Sequence, residues 1–519
     1  MLLKTMLGVV TMKKKNIILS IGLFLVIIFM NSCKSSKKDI EEVILPVKES
    51  IIKIGIPYKA RTFNPQLAND SATLAVTRQI YDTLFFLKED GTLQNALAEN
   101  YEVLSNNEII IHIKDNIFFH DGTKLTSADV VESLNLSLEA PIAKVVVGVI
   151  SNVEDIGNNQ VKITHSSNSS LILHNLTHLS TSIIKPVTDR NNGEITIVGT
   201  GPYSIEKWGN GERIELIANK NYYAGTPKNT KIIFMTIPEN TARYIGLETG
   251  EIDIAYDLLP SDIKVLEKNN NLTSIIKPSY GIDFIGINTD KIKDVQLRKA
   301  ISLGINRRDI STAVFEGISE LAFSMLSPSV FGFAPNTQID GYNPDKAREI
   351  INSLGIELPL KLSIYIYEEP SRVQMAQVIQ SNLKDIGIDL QIETLEVSAF
   401  LQHTANGEQD MLIGLWHMST GDADFGFFPL LHSSSAGASG NRSFYKNPYV
   451  DNLIAMARKE NNADKRLEYY KEIQEIINRE IPLVPLLYKT YIIGLNKSIE
   501  GFIFHPSGSH LLYQVEKNN

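Results

Sequence analysis

Between Leu362 and Ile392 the sequence writes out a complete strand–helix–strand unit. Leu362-Ser363-Ile364-Tyr365-Ile366 is a short β-branched and aromatic run with the composition of a strand. From Ser371 to Ile386, Val373, Ala376, Ile379 and Leu383 fall on one face of a helix, and Gly387 follows where helices commonly stop. Ile388-Asp389-Leu390-Gln391-Ile392 then alternates with the period of two of a strand. The first half repeats this mixture. Ile51-Ile52-Lys53-Ile54-Gly55, Ile109-Ile110-Ile111-His112-Ile113 and Lys231-Ile232-Ile233-Phe234-Met235 read as strands. Thr126-Ser127-Ala128-Asp129 opens a helix with the threonine and acidic third position of a capping box. Pro344-Asp345 opens another that runs to Gly355. Strands alternating with helices in both halves predict an α/β protein of two lobes, and exclude a helix bundle or a β-sandwich.

The N-terminus carries a different signal. Lys13, Lys14 and Lys15 precede an apolar run from Ile17 to Met30, whose 14 residues fall short of the ~20 that a spanning helix needs. The pattern is that of an export signal, and Met12 serves as a start as well as Met1. Met30-Asn31-Ser32-Cys33 resembles the acylation site of a bacterial lipoprotein, with Met30 where leucine is usual. The expectation is a signal over 1–32, a lipid on Cys33, and a polar flexible tether over 33–49. Cys33 is the only cysteine among 519 residues, so no disulfide staples the body and its stability comes from burial. The net charge is −9; without the signal's four lysines, 46 cationic side chains face 59 anionic ones, a net of −13. An acidic body without a basic cluster excludes nucleic acid as the partner, and excludes a protein that lies flat on anionic lipid.

Six segments carry a family likeness: His120 to Val130 (HDGTKLTSADV), Gly199-Thr200-Gly201-Pro202-Tyr203, Asn219 to Tyr223, Val295 to Arg307, Tyr342 to Ala347, and Leu383 to Ile388. In this order they resemble the blocks of family 5 extracellular solute-binding proteins, the peptide, nickel and glutathione receptors of ABC importers. The resemblance implies a two-lobed periplasmic-binding-protein fold of type II with a hinge. Lobe I would span 50–286 with an inserted subdomain at about 74–196, lobe II 287–497, and 498–519 would return to lobe I. It also implies a monomer that captures short peptides, dipeptides or glutathione between its lobes, needs no cofactor, and passes them to a permease driven by ATPase subunits. A nickel or haem receptor of the same fold is the alternative. A secreted hydrolase is a remote one: no G-x-S-x-G elbow is present, and Asp422 with Asp424 would need one pKa raised by burial.

The segment richest in chemistry is Gly414 to Phe425, where an apolar strand leads into Trp416, His417, Ser419, Thr420, Asp422 and Asp424. Strand ends of this kind hold ligand contacts in α/β lobes. The resemblance gives Trp416 the role of covering a peptide and Asp422 that of binding its α-ammonium; both carboxylates are equally able to cap the next helix. Asn69, Asp70 and Ser71 resemble a first-lobe loop that contacts the ligand backbone, or cap the helix that follows. Arg442, in a Gly440 to Tyr445 run similar to glutathione receptors, would pair with a ligand carboxylate or brace the loop through Asp422 or Asp424. Tyr280 is expected to face the cleft. Glutathione has two carboxylates, so a second cation is required, with Arg61 and Arg78 as candidates. His417 would shape the pocket, and no histidine spacing matches a zinc site.

Overall fold

The computed structural model describes residues 50–68, 70–188 and 195–518. The export signal, Cys33, the tether and Asn69 lie outside the described residues. The strands expected from the sequence form, each within three residues of its expected ends: Ile51–Ile56, Glu108–Ile113, Lys231–Thr236, Leu360–Tyr367 and Ile388–Leu395. The capping box at Thr126 is complete, since its hydroxyl accepts from Asp129 N–H while the Asp129 carboxylate accepts from Thr126 N–H. The helix drawn from Ser371 to Ile386 runs Pro370–Lys384, with proline in the first turn where its missing donor is harmless.

One eleven-stranded sheet crosses the molecule, and its order explains the two halves. In the first half, Ile51–Ile56 lies parallel between Lys231–Thr236 and Ile254–Ala255. In the second, Leu360–Tyr367 lies parallel between Ile388–Leu395 and Met411–His417. Parallel neighbours need crossover connections, and helices such as Pro370–Lys384 supply them. Two long strands, Leu272–Ile287 and Leu483–Asn496, join the halves. Their antiparallel ladder holds from Leu272 to Pro278 against Asn496 to Thr490, slips, and resumes at Ile282 against Tyr488. A separate four-stranded antiparallel sheet, with Glu108–Ile113 and Gln160–His165 at its centre, packs its alternate residues Ile109, Ile111, Val161 and Ile163 into a core of its own.

The Gly199-Thr200-Gly201 segment, which a phosphate loop also resembles, has a packing role here. A Cβ on Gly201 would lie 2.5 Å from the carbonyl carbon of Ile80 and 2.8 Å from the Gln79 oxygen, backbone that ends the helix Ser71–Ile80. The Gly201 N–H donates to the Ile80 carbonyl at 2.9 Å, and the His120 ring bonds the Gly201 carbonyl at 3.0 Å. Gly201→Ala should therefore cost about 1–3 kcal/mol by overpacking, read as a lowered urea midpoint with an unchanged slope.

Candidate ligand-binding site

The strand Met411–His417 pairs with the first joining strand so that Trp416 faces Ile282 and His417 faces Gly281, beside the ladder slip. The chain then turns through Ser419, Thr420 and Gly421, whose φ of +67° suits glycine. Trp416 spends its N–H on the Phe425 carbonyl at 2.7 Å, which leaves only the ring for other contacts. Ser419 is half-buried, whereas the Thr420 hydroxyl is sealed with no hydrogen-bond partner among the described residues. The Tyr280 hydroxyl is also sealed with no partner among the described residues, and burial with the nearby Asp90 raises its pKa to about 12.

Asp422 differs from the expectation. Its carboxylate is fully buried, and Arg466 donates to both oxygens at 2.9 Å. The Tyr470 hydroxyl donates at 3.0 Å and the Asp424 N–H at 3.0 Å. Burial is the largest influence and pushes the Asp422 carboxyl up, but Arg466, His174 and the hydrogen bonds from Arg466 and the Asp424 N–H together outweigh it, and the net value is below the ordinary one. A charge completed in this way is not open to an α-ammonium. Asp424 is likewise buried and pairs with Arg458 at 2.9 Å, whose guanidinium sits 3.8 Å above the Phe428 ring. Arg466 and Arg458 come from two later helices, Ala463–Glu480 and Pro448–Lys459, and no local spacing announced them. Arg442 pairs with neither aspartate: its carbonyl accepts from Gln409 at 2.9 Å and its buried Nε has no acceptor among the described residues.

On the facing side, Asp70 caps the helix Ser71–Ile80, accepting from the Thr73 N–H at 2.9 Å and its hydroxyl at 2.8 Å. Arg61 pairs with Asp70 at 3.1 Å. Ser71, exposed, starts the helix and borders a pocket with Asp257, Tyr256 and Tyr491. Arg78, in the last turn, borders a second pocket with Phe86, His178, Ser419, His505 and Ser507. Burial lowers His178 and His505 to about 4, so both are neutral. Charges of both signs gather on and beside the joining strands. Arg372 pairs with Asp283 at 3.1 Å and Glu369 at 3.2 Å, and Lys489 lies in the field of Asp257, Asp283 and Glu369. His417 is held neutral there, lowered to about 3 by burial, Lys489 and Arg372.

The inserted sheet also reaches the second half. Asn168 caps the helix Ser169–Asn175 through its side-chain oxygen, which accepts from Leu171 N–H at 2.8 Å. Its amide nitrogen donates to the carbonyls of Ala457 and Arg458, both at 3.1 Å, at the end of Pro448–Lys459. No group of three or more potential metal ligands is gathered among the described residues.

Residues 92–438 match the model of "Bacterial extracellular solute-binding proteins, family 5 Middle". The chain belongs to this family. It is thus built as an exported solute-binding receptor of the family 5 ABC importers, a family of substrate receptors and not of enzymes. It is 27% identical to the glutathione-binding protein GsiB of Escherichia coli (strain K12) over 494 residues, 92% of this chain and 94% of that protein. It is 28% identical to its namesake in Salmonella typhi over 479 residues, 89% of this chain and 93% of that protein. Among solved structures it resembles DppA of Helicobacter pylori in complex with the peptide STSA, with a TM-score of 0.80 and 24% identity over 91% of this chain and 98% of that one. It also resembles NikA of Staphylococcus aureus in complex with Ni(L-His)2, with a TM-score of 0.77 and 23% identity over 90% of this chain and all of that one. These likenesses establish the two-lobed α/β fold expected of the family 5 receptor. No helix among the described residues is long and apolar enough to cross a membrane.

Removing one partner of the buried Asp422–Arg466 pair strands the other. Asp422→Asn should destabilise the receptor by about 3–5 kcal/mol at pH 7, measured by urea unfolding. The sign with pH follows from the lowered carboxyl. The pair's contribution is complete above the unfolded value of ~3.9 and is lost as pH falls through the folded value, so the gap between variant and wild type narrows below about pH 4.

Proposed function

We propose that this receptor captures a short peptide between its lobes, with glutathione as the leading candidate, and delivers it to a membrane permease with ATPase partners. The observation that carries this reading is the mixture of charge in the cleft. Arg78 borders one pocket and Asp257 the other, and Lys489 with the Arg372–Asp283–Glu369 cluster adds charge of both signs, a mixture suited to a zwitterion with amides between its ends. The Trp416 ring covers the ligand and Ser419 offers a hydroxyl to its backbone; the sealed hydroxyls of Thr420 and Tyr280 would have to be uncovered to join it. Asp257 borders the pocket at Ser71 and its carboxylate makes no ion pair of contact length among the described residues, so we place the ligand's ammonium there. Asp422 and Asp424 then act as positioning residues that fix the loop through Arg466 and Arg458. The glutathione choice draws on the relatives of that name and on the Ser419 to Tyr445 run. Anchorage through Cys33 and a monomeric state belong to the same proposal.

Closure is favoured only by contacts that the ligand makes to both lobes at once. Micromolar binding amounts to ~8 kcal/mol, within reach of one desolvated charge pair, amide hydrogen bonds and aromatic cover. A free Ni²⁺ ion, by contrast, would meet His417 beside Lys489 and Arg372, two cations that repel it.

Calorimetry on the full chain in detergent, with glutathione, dialanine, a tetrapeptide, Ni²⁺ and haem, tests the assignment. Heat from glutathione at about micromolar Kd is the expected result. Heat from Ni²⁺ or haem alone would overturn the peptide reading, and turnover of any of these ligands without a partner would overturn the receptor class. Tighter binding of dialanine or the tetrapeptide would remove glutathione as the preferred ligand.

A further inference from the structure

We infer that the pocket beneath the end of the helix Ser71–Ile80 is a receptor for a ligand carboxylate, with Arg78 as the group that binds it. The inference rests on the peptide reading above and assigns one end of the ligand. Arg78 is only 4% exposed, yet none of its five N–H groups donates a hydrogen bond among the described residues, and its Nε is sealed without a partner. A buried guanidinium in that state is uncommon, because desolvation without hydrogen bonds is costly.

Two ordinary explanations fall short. An arginine in a last helical turn often serves the turn's carbonyls. Here Thr77 O accepts from Tyr81 N–H and Ile80 O from Gly201 N–H, and Arg78 donates to neither. The second explanation is a salt bridge with Asp82. Asp82 offsets the charge from a distance, but the two make no ion pair, and its oxygens accept instead from Thr200 at 3.0 Å and Tyr222 at 3.1 Å.

The surroundings are those of a built anion site. The guanidinium carbon lies 4.6 Å from the Phe86 ring centroid, so the plane is fixed by stacking while its N–H edges stay available. Ser419 and Ser509 border the same pocket, and their hydroxyls donate to nothing among the described residues. His505 bonds the Leu87 carbonyl through Nε2 at 2.7 Å, which leaves Nδ1 to accept from the Ser507 hydroxyl at 2.6 Å. With His505 and His178 both neutral, Arg78 is the one charged group among the residues that line the pocket. A planar carboxylate matches the guanidinium edge by two parallel hydrogen bonds. Because Ser419 follows the strand Met411–His417 and Arg78 lies in the first half, one carboxylate bridges both.

The test uses the full chain and a thermodynamic cycle between Arg78→Gln and the ligand's carboxylates. Glutathione is compared with its glycine amide and with the analogue whose glutamyl α-carboxylate is replaced by hydrogen. Wild type should bind one of these analogues about tenfold or more weaker than glutathione, identifying which carboxylate is read. R78Q should lose that preference, binding glutathione and that analogue equally. Arg78→Lys, which keeps the charge and loses the fork, should fall between them and serves where R78Q is poorly folded. The inference is overturned if wild type binds all three ligands alike, or if R78Q weakens all three by the same factor. Absence of heat from every peptide in wild type is a separate result, and it refutes the peptide reading itself.

Discussion

The pairing of Leu272–Ile287 with Leu483–Asn496 is the constraint on which the rest of the molecule depends. Each strand belongs to both halves of the sheet, so neither half can be laid out without the other. The ladder slips between Pro278 and Ile282, and there a side chain takes over from the backbone. The Ser279 hydroxyl donates to the Lys489 carbonyl at 2.8 Å and accepts from the Gly281 N–H at 2.9 Å. Tyr280 donates its N–H to Pro506 at 3.0 Å, drawing the 505–509 segment against the slip. Tyr280, His417, Lys489, Arg78 and His505 meet at one place because these strands bring it about.

Burial and charge are separated in space around that place. Asp422 with Arg466 and Asp424 with Arg458 are completed within the second half and hold the loop between Met418 and Phe425 in shape. Such pairs contribute little net stability against an apolar replacement, but breaking one leaves a charge stranded, so they fix geometry. Other buried polar groups are different in kind. Arg78 and the hydroxyls of Tyr280 and Thr420 are buried and incompletely bonded among the described residues, and Arg78 alone of these borders a pocket.

Elements that depend on near neighbours in sequence were legible. The Thr126 box, the Pro344 start, the helix ending before Gly387 and the strands of alternating or β-branched residues all follow from local chemistry, and the structure has them. The family was legible for another reason: six ordered blocks outweigh any single one. The site was read less well. Asp422 and Trp416 stand at the end of the expected strand, but the identity of Asp422's partner lies 44 residues away and depends on how a helix packs. Asp70 had two readings, and the capping one is observed. The isolation of Arg78 could not be seen from sequence, because a missing hydrogen bond leaves no motif.

Asn168 begins one helix and ends another with a single amide group, and on the proposed reading of capture between lobes the two helices would part when the cleft opens. Opening leaves the end of Pro448–Lys459 to water, a change on the scale of ~1 kcal/mol for a cap. On that reading the empty receptor would carry a small preference of its own for the shut form, about five-fold on that scale. The sign has a cost for transport as well as a gain for binding. A preference of this size tightens the grip on cargo, yet each shut and empty molecule is a decoy at the transporter. One asparagine thus sets a balance between holding well and signalling falsely.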